Sequence, residues 1–513
     1  MQVKEKYMKT KVMLLQSISP IVNSAPPLGL AYIGAVLEKK GYEVNILDAS
    51  APYADYTLDV LIKETKKFSP HIIGISITIS FAQYSYLLMK ELSKGINSPI
   101  VAGGPHPSIL PHEALNNGAD IAVRGEGEQT FIEIMDYVNR GKKLRDILGI
   151  SFKDEDGKYI DNKTRPIISN LDSIPFPAKH LFNIGHYVKQ PYEIIKYGNI
   201  ITSRGCPFGC TYCSNKIGGR KIRFRSPENI ISEIQYLKDE YGLRKFIFLD
   251  DCATLNLKRM IKLCQMIVDQ KLYIRWICIT RVDAVNRNLL IEMKKAGCIA
   301  VDYGVESGNI ETLKKIKKGF TLEEVENTLN WTHEIGINSM VNFMHGFPWE
   351  STIDLKTNRR FIKKIRPLVD SIMPAGIVIP FPKTDLYEQY KDLYGFENWW
   401  LKKDNFSGAG KVKISQPFFE RIFFSYYPLN YNFFNYSPQI VKELKRTGSM
   451  IGRYNLLKYS KRVSKNPVVF MTIREILFLL VLISKLLYKI NPRVEAKIMQ
   501  PFSLLAAKHQ LQG

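Results

Sequence analysis

Residues 199–216 read NIITSRGCPFGCTYCSNK and contain the most specific motif of the chain. A predicted strand over residues 199–203 leads into a loop that contains Cys206, Cys210 and Cys213. Three thiolates at this spacing can hold three irons of a [4Fe–4S] cube and leave the fourth iron open to a ligand from outside the protein. Since the chain has only seven cysteines, composition does not explain the cluster. The alternatives are a zinc site, which prefers four protein ligands or three and a water, and buried structural thiols.

Downstream of this loop, short apolar strands alternate with amphipathic helices as far as Pro382, including predicted helices over residues 257–270 and 321–335. About six such units predict a partial (β/α)6 TIM-like barrel, in which functional residues lie at the carboxyl ends of the strands. Polar residues follow three of these predicted strands: Asp250 and Asp251 in FLDD, Arg281 in TRVD, and Glu306 and Ser307 in YGVESG.

Upstream of the loop, residues 11–135 also alternate strands with helices and predict a doubly wound, Rossmann-like parallel sheet. Ser76 and Thr78 end one strand, and Gly103 and Gly104 end the next. Small residues there let the tail of a large flat cofactor enter the crevice where such sheets bind ligands. The predicted domains are 1–140 (Rossmann-like), 141–195 (linker or subdomain), 196–390 (barrel) and 391–513 (basic, aromatic-rich and helical).

Length, composition and net charge exclude some classes of protein and indicate the kind of partner. The chain has 513 residues, 45% of them hydrophobic and 24% charged, which excludes a single small module and a disordered protein. Its net charge is +23, and residues 391–513 contain 20 Lys and Arg against 7 Asp and Glu. Such a surplus attracts nucleic acid, an anionic membrane surface or acidic small molecules. The odd cysteine count and the charged start predict a reducing, cytoplasmic location.

The cysteine loop resembles that of the radical S-adenosylmethionine (SAM) superfamily, in which the open iron chelates SAM and an electron cleaves it to a 5′-deoxyadenosyl radical. The resemblance places Tyr212 near the adenine and Asp250 or Asp251 near the SAM amino group. It also places Glu306 and Ser307 at the ribose or methionyl portion and makes Arg281 a partner for the carboxylate. The alternatives are core packing for Tyr212, a helix N-cap for either Asp, and a salt bridge for Arg281.

Two further segments, GFPWE at 346–350 and PFPKTDLY at 380–387, complete the barrel pattern of this superfamily. Relatives usually have a glycine where Lys383 stands. We interpret both segments as determinants of backbone geometry.

The first domain resembles the cobalamin-binding domains that precede some radical SAM barrels. The similar segments are PPLGLAYIGAVLE (26–38), VAGGPHPS (101–108) and VRGEGEQTF (123–131). The cofactor-binding residues implied are Pro27, Leu28, Gly29, Ser76, Thr78, Gly103, Gly104, His106, Gly125 and Glu126. The motif Asp-x-His-x-x-Gly is replaced by SAPPLGLA, so we predict cobalamin bound base-off with no histidine below the cobalt. The alternatives are a domain that has lost its cofactor and, for His106, a position on the surface.

The resembled family includes cobalamin-dependent C-methylases and the anaerobic magnesium-protoporphyrin ester cyclase. We therefore expect methylation, or another carbon–carbon bond-forming step, at an unactivated carbon of a hydrophobic, lipid-like small molecule. The electron donor would be a flavodoxin or ferredoxin. An oxidative cyclase without methyl transfer and an RNA-modifying enzyme remain alternatives. The RNA-modifying relatives carry three N-terminal cysteines, and this chain has none before Cys206, which argues against nucleic acid as a partner.

The C-terminal tail is the last informative segment. Residues 441–497 contain 13 Lys and Arg against 3 Asp and Glu around the apolar run IREILFLLVLISKLLYKI (473–490). This pattern favours a helix lying peripherally on the inner face of an anionic membrane, and the alternative is a core helix that closes the barrel. No run reaches the 18 or so apolar residues that a spanning helix needs.

Overall fold

The computed structural model describes residues 10–18, 25–139, 141–188, 197–214, 220–373, 377–401 and 432–463, with a few more between 475 and 487. They fall into two compact units. The first comprises the described residues up to 199 with 220–225 and 398–401, and the second comprises 200–214, 226–397 and the described residues from 432 onward. Residues 141–188 group with the first unit. The predicted domain boundaries, with 141–195 as a linker or subdomain, stay a prediction.

The first unit is built on a seven-stranded sheet. Its strands are β1 (Lys11–Gln16), β2 (Glu43–Asp48), β3 (Ile72–Ser76), β4 (Ile100–Gly103), β5 (Ile121–Val123), β6 (Ile150–Lys153) and β7 (Tyr159–Asp161). The order β2-β1-β3-β4-β5-β6-β7 is parallel through β5, and β6 and β7 form an antiparallel hairpin at one edge. Strand order reverses between β1 and β3, which is the point where doubly wound sheets bind ligands.

Helices connect the parallel strands of this sheet. They are α1 (Leu28–Lys39), α2 (Leu58–Phe68), α3 (Ala82–Ser93), α4 (Pro105–Ile109), α5 (Pro111–Asn116) and α6 (Glu128–Val138). The central strands are apolar on both faces and are almost fully buried, as Val12 to Leu15 illustrate. This double burial is typical of parallel sheets with helices on both sides, so the predicted Rossmann-like fold is confirmed.

The second unit contains a six-stranded parallel sheet. Its strands are β8 (Asn199–Ile200), β11 (Lys245–Phe248), β12 (Arg275–Thr280), β13 (Cys298–Glu306), β14 (Asn338–Phe343) and β15 (Ser371–Met373), in the order β15-β14-β13-β12-β11-β8. The two-residue strands β9 (Ser203–Arg204) and β10 (Arg223–Phe224) follow β8 along the chain. Six strands in sequential order confirm the predicted partial (β/α)6 barrel.

The helices of this unit are α7 (Pro227–Tyr241), α8 (Leu257–Asp269), α9 (Arg287–Lys295), α10 (Ile310–Lys315), α11 (Leu322–Ile335), α12 (Thr352–Ile365), α13 (Asp385–Tyr394) and α14 (Pro438–Val463). One face of the sheet packs on them: the Tyr303 hydroxyl lies 2.9 Å from Thr332 Oγ1 on α11. The opposite face is only partly buried, because the alternate residues of β11 to β14 have intermediate exposure. The sheet therefore presents an open face.

The region after Pro382 is more regular than its pattern indicates. Helix α13 begins at Asp385, and α14 packs Leu444 against Leu355 and Ile377. No helix in the described ranges is long and apolar enough to cross a membrane. The aromatic segment between 418 and 431, and most of the apolar run 473–490, lie outside the described residues.

Candidate active site

The three-cysteine loop lies at the carboxyl edge of the second unit's sheet. Gly205 precedes it with φ +89°, a conformation that glycine adopts without strain. Cys206, Cys210 and Cys213 have intermediate exposure and form no disulfide, and the Cys213 amide donates to the Cys210 carbonyl at 3.1 Å. The other four cysteines are buried.

The two aspartates of FLDD hold the residues that lead into this loop. Asp250 is buried, and its carboxylate accepts hydrogen bonds from the Thr202 amide at 2.6 Å, the Ser203 amide at 3.0 Å and the Thr202 hydroxyl. Asp251 accepts from the Gly205 amide. The alternative that either Asp caps the following helix is wrong, because Asn256 caps α8 by accepting from the Arg259 amide. Their contact with the SAM amino group stays a prediction.

A segment that the sequence analysis missed, residues 316–320 (IKKGF), lies against the cysteine loop. The Thr211 amide donates to the Ile316 carbonyl at 3.2 Å, and Cys210 Sγ lies 4.0 Å from the Lys317 carbonyl oxygen. Lys318 is only 5% exposed, and its ammonium donates to Glu306 Oε1 at 3.0 Å and to the Tyr212 hydroxyl at 3.4 Å. Lys318 thus joins the loop to the end of β13.

The end of β13 is shaped to hold Glu306. This residue has φ +71°, an uncommon conformation for a side chain other than glycine, and follows a register shift between β13 and β14. A Cβ atom at Gly304 would lie 2.7 Å from Glu306 Oε1 and 3.2 Å from Lys318 Nζ, so the glycine leaves room for the ion pair. Ser307 is fully buried, and its hydroxyl accepts from the Asn309 amide at 3.1 Å.

Arg281, at the end of β12, is fixed from several sides. It donates to both carboxylate oxygens of Asp283, at 2.8 and 2.7 Å, and to the Lys318 carbonyl at 2.5 Å. Its guanidinium lies 3.6 Å from the centroid of the Phe208 ring within the cysteine loop. The predicted salt bridge is therefore present. Its Nη1, however, is buried without a hydrogen-bond partner in the described part of the chain, and such a donor suits a carboxylate.

The open face of the sheet carries a polar pair that sequence reasoning also missed. Asn342 Nδ2 donates to Asp302 Oδ1 at 2.5 Å. Burial, and to a lesser extent the nearby Glu306 charge, raise the pKa of Asp302 to about 6. On the neighbouring strands the same face presents Ile247, Ile277 and Ile279. The alternation of half-buried residues along β13 and β14 was the available signal.

The two family segments fix backbone turns at the barrel edge. Glu350 of GFPWE accepts from the Gly346 and Phe347 amides, at 2.8 and 3.1 Å. Lys383 has φ +62°, which explains why a glycine is usual at this position in relatives.

The first unit has a crevice at its switch point. Gln16 of β1 is in register with Ser76 of β3, which is in register with Gly103 of β4. Gln16 Nε2 is buried there without a partner in the described ranges. Gly104 has φ +95°, and a Cβ would lie 3.0 Å from the Ile77 carbonyl oxygen, so the glycine permits close approach of β3 and β4. The residues suit the extended tail of a cofactor.

The remaining predicted cobalamin residues surround this edge or hold it together. Thr78 precedes a 3-10 turn over Ile79–Phe81. Pro27 occupies the N-cap position of α1 without a side-chain hydrogen bond, Leu28 is buried and Gly29 is exposed. The Gly125 amide donates to the Ser108 hydroxyl at 3.0 Å. Glu126 accepts from Arg223 Nη1 at 2.8 and 2.9 Å and from the Ile168 amide at 2.7 Å. A role of Glu126 in cofactor binding stays a prediction, since these contacts are structural.

His106 is buried, so the alternative of a surface position is wrong. Its Nε2 lies 2.7 Å from Glu113 Oε1, and Glu113 also accepts from the Tyr86 hydroxyl at 2.7 Å and from Trp400 Nε1 at 3.0 Å. Burial would raise the pKa of Glu113, but these donors, His106 foremost, hold it below its ordinary value. The ionised Glu113 makes His106 Nε2 the donor and leaves Nδ1 without a hydrogen-bond partner among the described residues.

The donor set was compared with the groups that the motifs imply. Within the described ranges, no three His, Cys, Asp or Glu side chains converge at the spacing of a single metal ion. An iron–sulfur cube takes one thiolate at each of several irons, which suits three partly exposed cysteines on one loop, none of them in a disulfide. The unpartnered Arg281 Nη1 and Gln16 Nε2 likewise fit a SAM carboxylate and a cofactor tail, respectively.

Comparison with known proteins agrees with this geometry. The radical SAM superfamily matches residues 200–362, and the B12 binding domain matches residues 18–135. An uncharacterized methyltransferase of Pyrococcus horikoshii is 35% identical over 74% of this chain and 83% of that protein. The anaerobic magnesium-protoporphyrin IX monomethyl ester cyclase of Rubrivivax gelatinosus is 27% identical over 74% of this chain and 69% of that protein.

Among solved structures, the radical SAM methyltransferase TsrM of Kitasatospora setae, with cobalamin and a [4Fe–4S] cluster bound, has the same fold. Its TM-score is 0.64 at 20% identity, over 76% of this chain and 79% of that one. Fold and cysteine loop together define a radical SAM enzyme. More particularly, the chain belongs to the radical SAM family with a B12-binding domain, which includes methyltransferases and magnesium-protoporphyrin ester cyclases.

Proposed function

We propose that the protein methylates, or forms another carbon–carbon bond at, an unactivated carbon of a hydrophobic small molecule. The observation that carries the proposal is the convergence of the cysteine loop, the buried Lys318–Glu306 pair and the unpartnered Nη1 of Arg281 in the second unit. When bound, the cluster with SAM supplies a radical able to remove hydrogen from an unactivated carbon, and cobalamin supplies a methyl group.

The side chains of the second unit would bind and orient SAM. Cys206, Cys210 and Cys213 would hold the cluster, leaving one iron for SAM. Arg281, oriented by Asp283, would donate a hydrogen bond from Nη1 to the SAM carboxylate. Glu306 would accept from the ribose hydroxyls, with Lys318 fixing its carboxylate. Ser307, whose hydroxyl accepts from the Asn309 amide, would lie beside it at the ribose or methionyl portion.

The open face of the sheet would receive the substrate. The isoleucine side chains 247, 277 and 279 offer an apolar surface, while Asp302 offers one hydrogen-bond acceptor held by Asn342. We infer a substrate with an apolar, lipid-like body and a single hydroxyl or amino group that donates to Asp302. Exclusion of water by the apolar body would protect a reactive radical.

The first unit would bind cobalamin base-off, with no histidine below the cobalt. The sequence supports this, because its first histidine is His71, whose Nδ1 accepts from the Lys11 amide at the opposite, amino-terminal end of β1. Gln16, Ser76 and Gly104 would line the path of the cofactor tail.

Anaerobic reconstitution with iron, sulfide and hydroxocobalamin tests the proposal. With SAM and a reductant, the protein should release 5′-deoxyadenosine, and Cys210→Ala should abolish that release while the corrin spectrum is retained. Cys264→Ala, at a buried thiol on α8, is the matched control and should retain both. Zinc in place of iron, or a cluster closed by a fourth side chain, would refute the cluster assignment, and loss of the corrin spectrum in the wild type would refute the cobalamin assignment.

An oxidative cyclase without methyl transfer is the second candidate, favoured by the similarity to the ester cyclase of Rubrivivax gelatinosus. A substrate screen separates the two, because only a methylase transfers the labelled methyl group of SAM. RNA modification is a weaker candidate, since three N-terminal cysteines are absent before Cys206.

We also propose a peripheral location at the cytoplasmic face of an anionic membrane, mediated by residues 441–497. The support is the charge of this segment, with 13 Lys and Arg against 3 Asp and Glu. A flavodoxin or ferredoxin would deliver the electron. These proposals fit a hydrophobic substrate taken from the bilayer.

A further inference from the structure

The second unit contains a basic groove of about 830 Å³ along the outer face of α14. Five cationic side chains line it, together with Ser449 and four apolar or aromatic residues: the cations are Arg366, Lys442, Lys445, Arg446 and Arg453, and the others are Pro438, Val441, Met450 and Tyr454. The helical members recur at spacings of three and four residues, which places them along one face of the helix. The groove is therefore a cationic strip with an apolar floor.

The opposite face of α14 packs against the rest of the second unit, so the cations of the groove face solvent. Glu443 is buried and accepts from Arg359 Nη2 at 2.5 Å and from Arg446 Nη1 at 2.5 Å. Tyr454 donates its hydroxyl to the Arg366 carbonyl at 2.6 Å. Glu443 lies where α14 packs on α12 and β15, whereas Arg446 and Tyr454 also line the groove. In the described ranges, Glu443 is the one acid that pairs with a cation of the groove, and that cation is Arg446.

The charges of the groove are largely uncompensated. Lys442, Lys445 and Arg453 are exposed and make no ion pair within the described ranges. Arg366 is oriented by stacking, with its guanidinium 4.6 Å from the Tyr454 ring centroid. A guanidinium held by stacking beside exposed ammonium groups is suited to phosphate oxygens.

We propose that this groove is a binding site for the headgroup of an anionic phospholipid in a membrane. The inference rests on the proposed membrane association and deepens it, because it assigns the contact to particular residues. Phosphate oxygens would lie on the cations, and the glycerol and upper acyl chain would contact Val441, Met450 and the Tyr454 ring. The apolar floor favours an amphiphile over a free phosphate or a nucleic-acid backbone.

A second observation supports a bilayer as the occupant. In the helical residues described beyond α14, Ile476, Leu479, Ile483 and Leu486 are 51%, 57%, 36% and 62% exposed. Their spacing of three, four and three residues places them on one side of a helix. An exposed apolar stripe that follows a cationic groove along the chain has the character of an interfacial helix. These exposures disfavour the alternative of a core helix for this segment.

Vesicle co-sedimentation of the full chain tests the site. Wild type should sediment with phosphatidylcholine vesicles that contain phosphatidylglycerol and remain soluble with phosphatidylcholine alone. Lys445→Gln with Arg453→Gln should weaken partition by about twenty-five-fold, because each cation near an anionic surface contributes a factor of about five. Lys40→Gln with Lys67→Gln, at exposed positions of the first unit, is the matched control and should leave partition unchanged.

The outcomes are distinguishable. If wild type does not bind the anionic vesicles, the proposed membrane association fails together with the site. If wild type binds and the groove variant binds equally well, the groove assignment alone fails and the association stands. RNA or inorganic phosphate that displaces the protein from the anionic vesicles would also overturn the assignment. Reductive SAM cleavage by the groove variant, measured in solution, reports separately on the chemistry of the barrel.

Discussion

The buried ion pair between Lys318 and Glu306 offers the sharpest test of the site. The side chains of these residues are 5% and 11% exposed, and Lys318 Nζ lies 3.0 Å from Glu306 Oε1. Replacing Lys318 by Met leaves a buried carboxylate without its counter-ion, which costs about 3–5 kcal/mol when one partner of a buried pair is removed. We therefore expect Lys318→Met to lower the free energy of unfolding of the second unit by this amount.

The same variant should weaken SAM binding, because the Lys318 ammonium also donates to the Tyr212 hydroxyl, so its loss removes a hydrogen bond from both Glu306 and Tyr212. Urea unfolding and equilibrium SAM binding by the reconstituted enzyme measure the two effects. The double variant Glu306→Gln with Lys318→Met should recover much of the stability, since no buried charge remains, but not the SAM affinity.

Lys314→Met provides the control. Lys314 pairs with Glu311 at 2.9 Å, but the two side chains are 66% and 65% exposed, so its loss should change stability by less than about 0.5 kcal/mol. If Lys318→Met proves as mild as Lys314→Met, or leaves SAM binding unchanged, the reasoning about the buried pair is refuted.

Three further predictions concern other parts of the molecule. Asp302→Asn should raise the free energy of unfolding at neutral pH by about 1–3 kcal/mol, because burial raises the pKa of Asp302 from 3.8 to about 6 and the wild type therefore loses stability as pH rises through this range. The gain should vanish below about pH 4, and an unchanged substrate KM would exclude a role of Asp302 in substrate binding. Gly304→Ala should destabilise the second unit by about 1–3 kcal/mol and weaken SAM binding, because the added Cβ would lie 2.7 Å from Glu306 Oε1. Unchanged SAM affinity in a thermal-shift titration would contradict this role of Gly304. Glu113→Gln should lower the free energy of unfolding of the first unit by about 2–4 kcal/mol, because an amide cannot accept from His106, Tyr86 and Trp400 together. The loss should shrink as pH falls through the lowered pKa of Glu113, and a loss that urea unfolding finds to be independent of pH would contradict an ionised Glu113.

Local sequence patterns predicted the parts of the site that depend on neighbours in the chain. The Cys206, Cys210 and Cys213 spacing lies within one loop, and the strand-end position of Arg281 follows from helix–strand alternation alone. The 3-10 turn after Thr78 and the close approach at Gly104 likewise follow strands whose apolar runs are plain in the sequence. Each of these features needs only the residues on either side of it.

Long-range pairing was not predictable in the same way. The run KKIKKGF resembles a solvated basic turn, yet Lys318 is buried because Glu306 and Tyr212 meet it from elsewhere in the chain. His106 resembled a surface loop residue, yet Glu113 and Trp400 enclose it, and Trp400 comes from nearly 300 positions away in the sequence. A polar side chain can be buried when a distant partner satisfies it, and a single sequence does not record that partner.

The sequence by itself determined the class of chemistry and the order of the two folds, because thiol spacing and the period of apolar residues are properties of adjacent residues. Only the tertiary structure decided which charges are buried against one another, which side of the sheet stays open, and that Lys442, Lys445 and Arg453 are exposed on α14 without an ion pair in the described ranges. Those outcomes depend on packing between segments far apart in the chain, where desolvation and pairing are settled together.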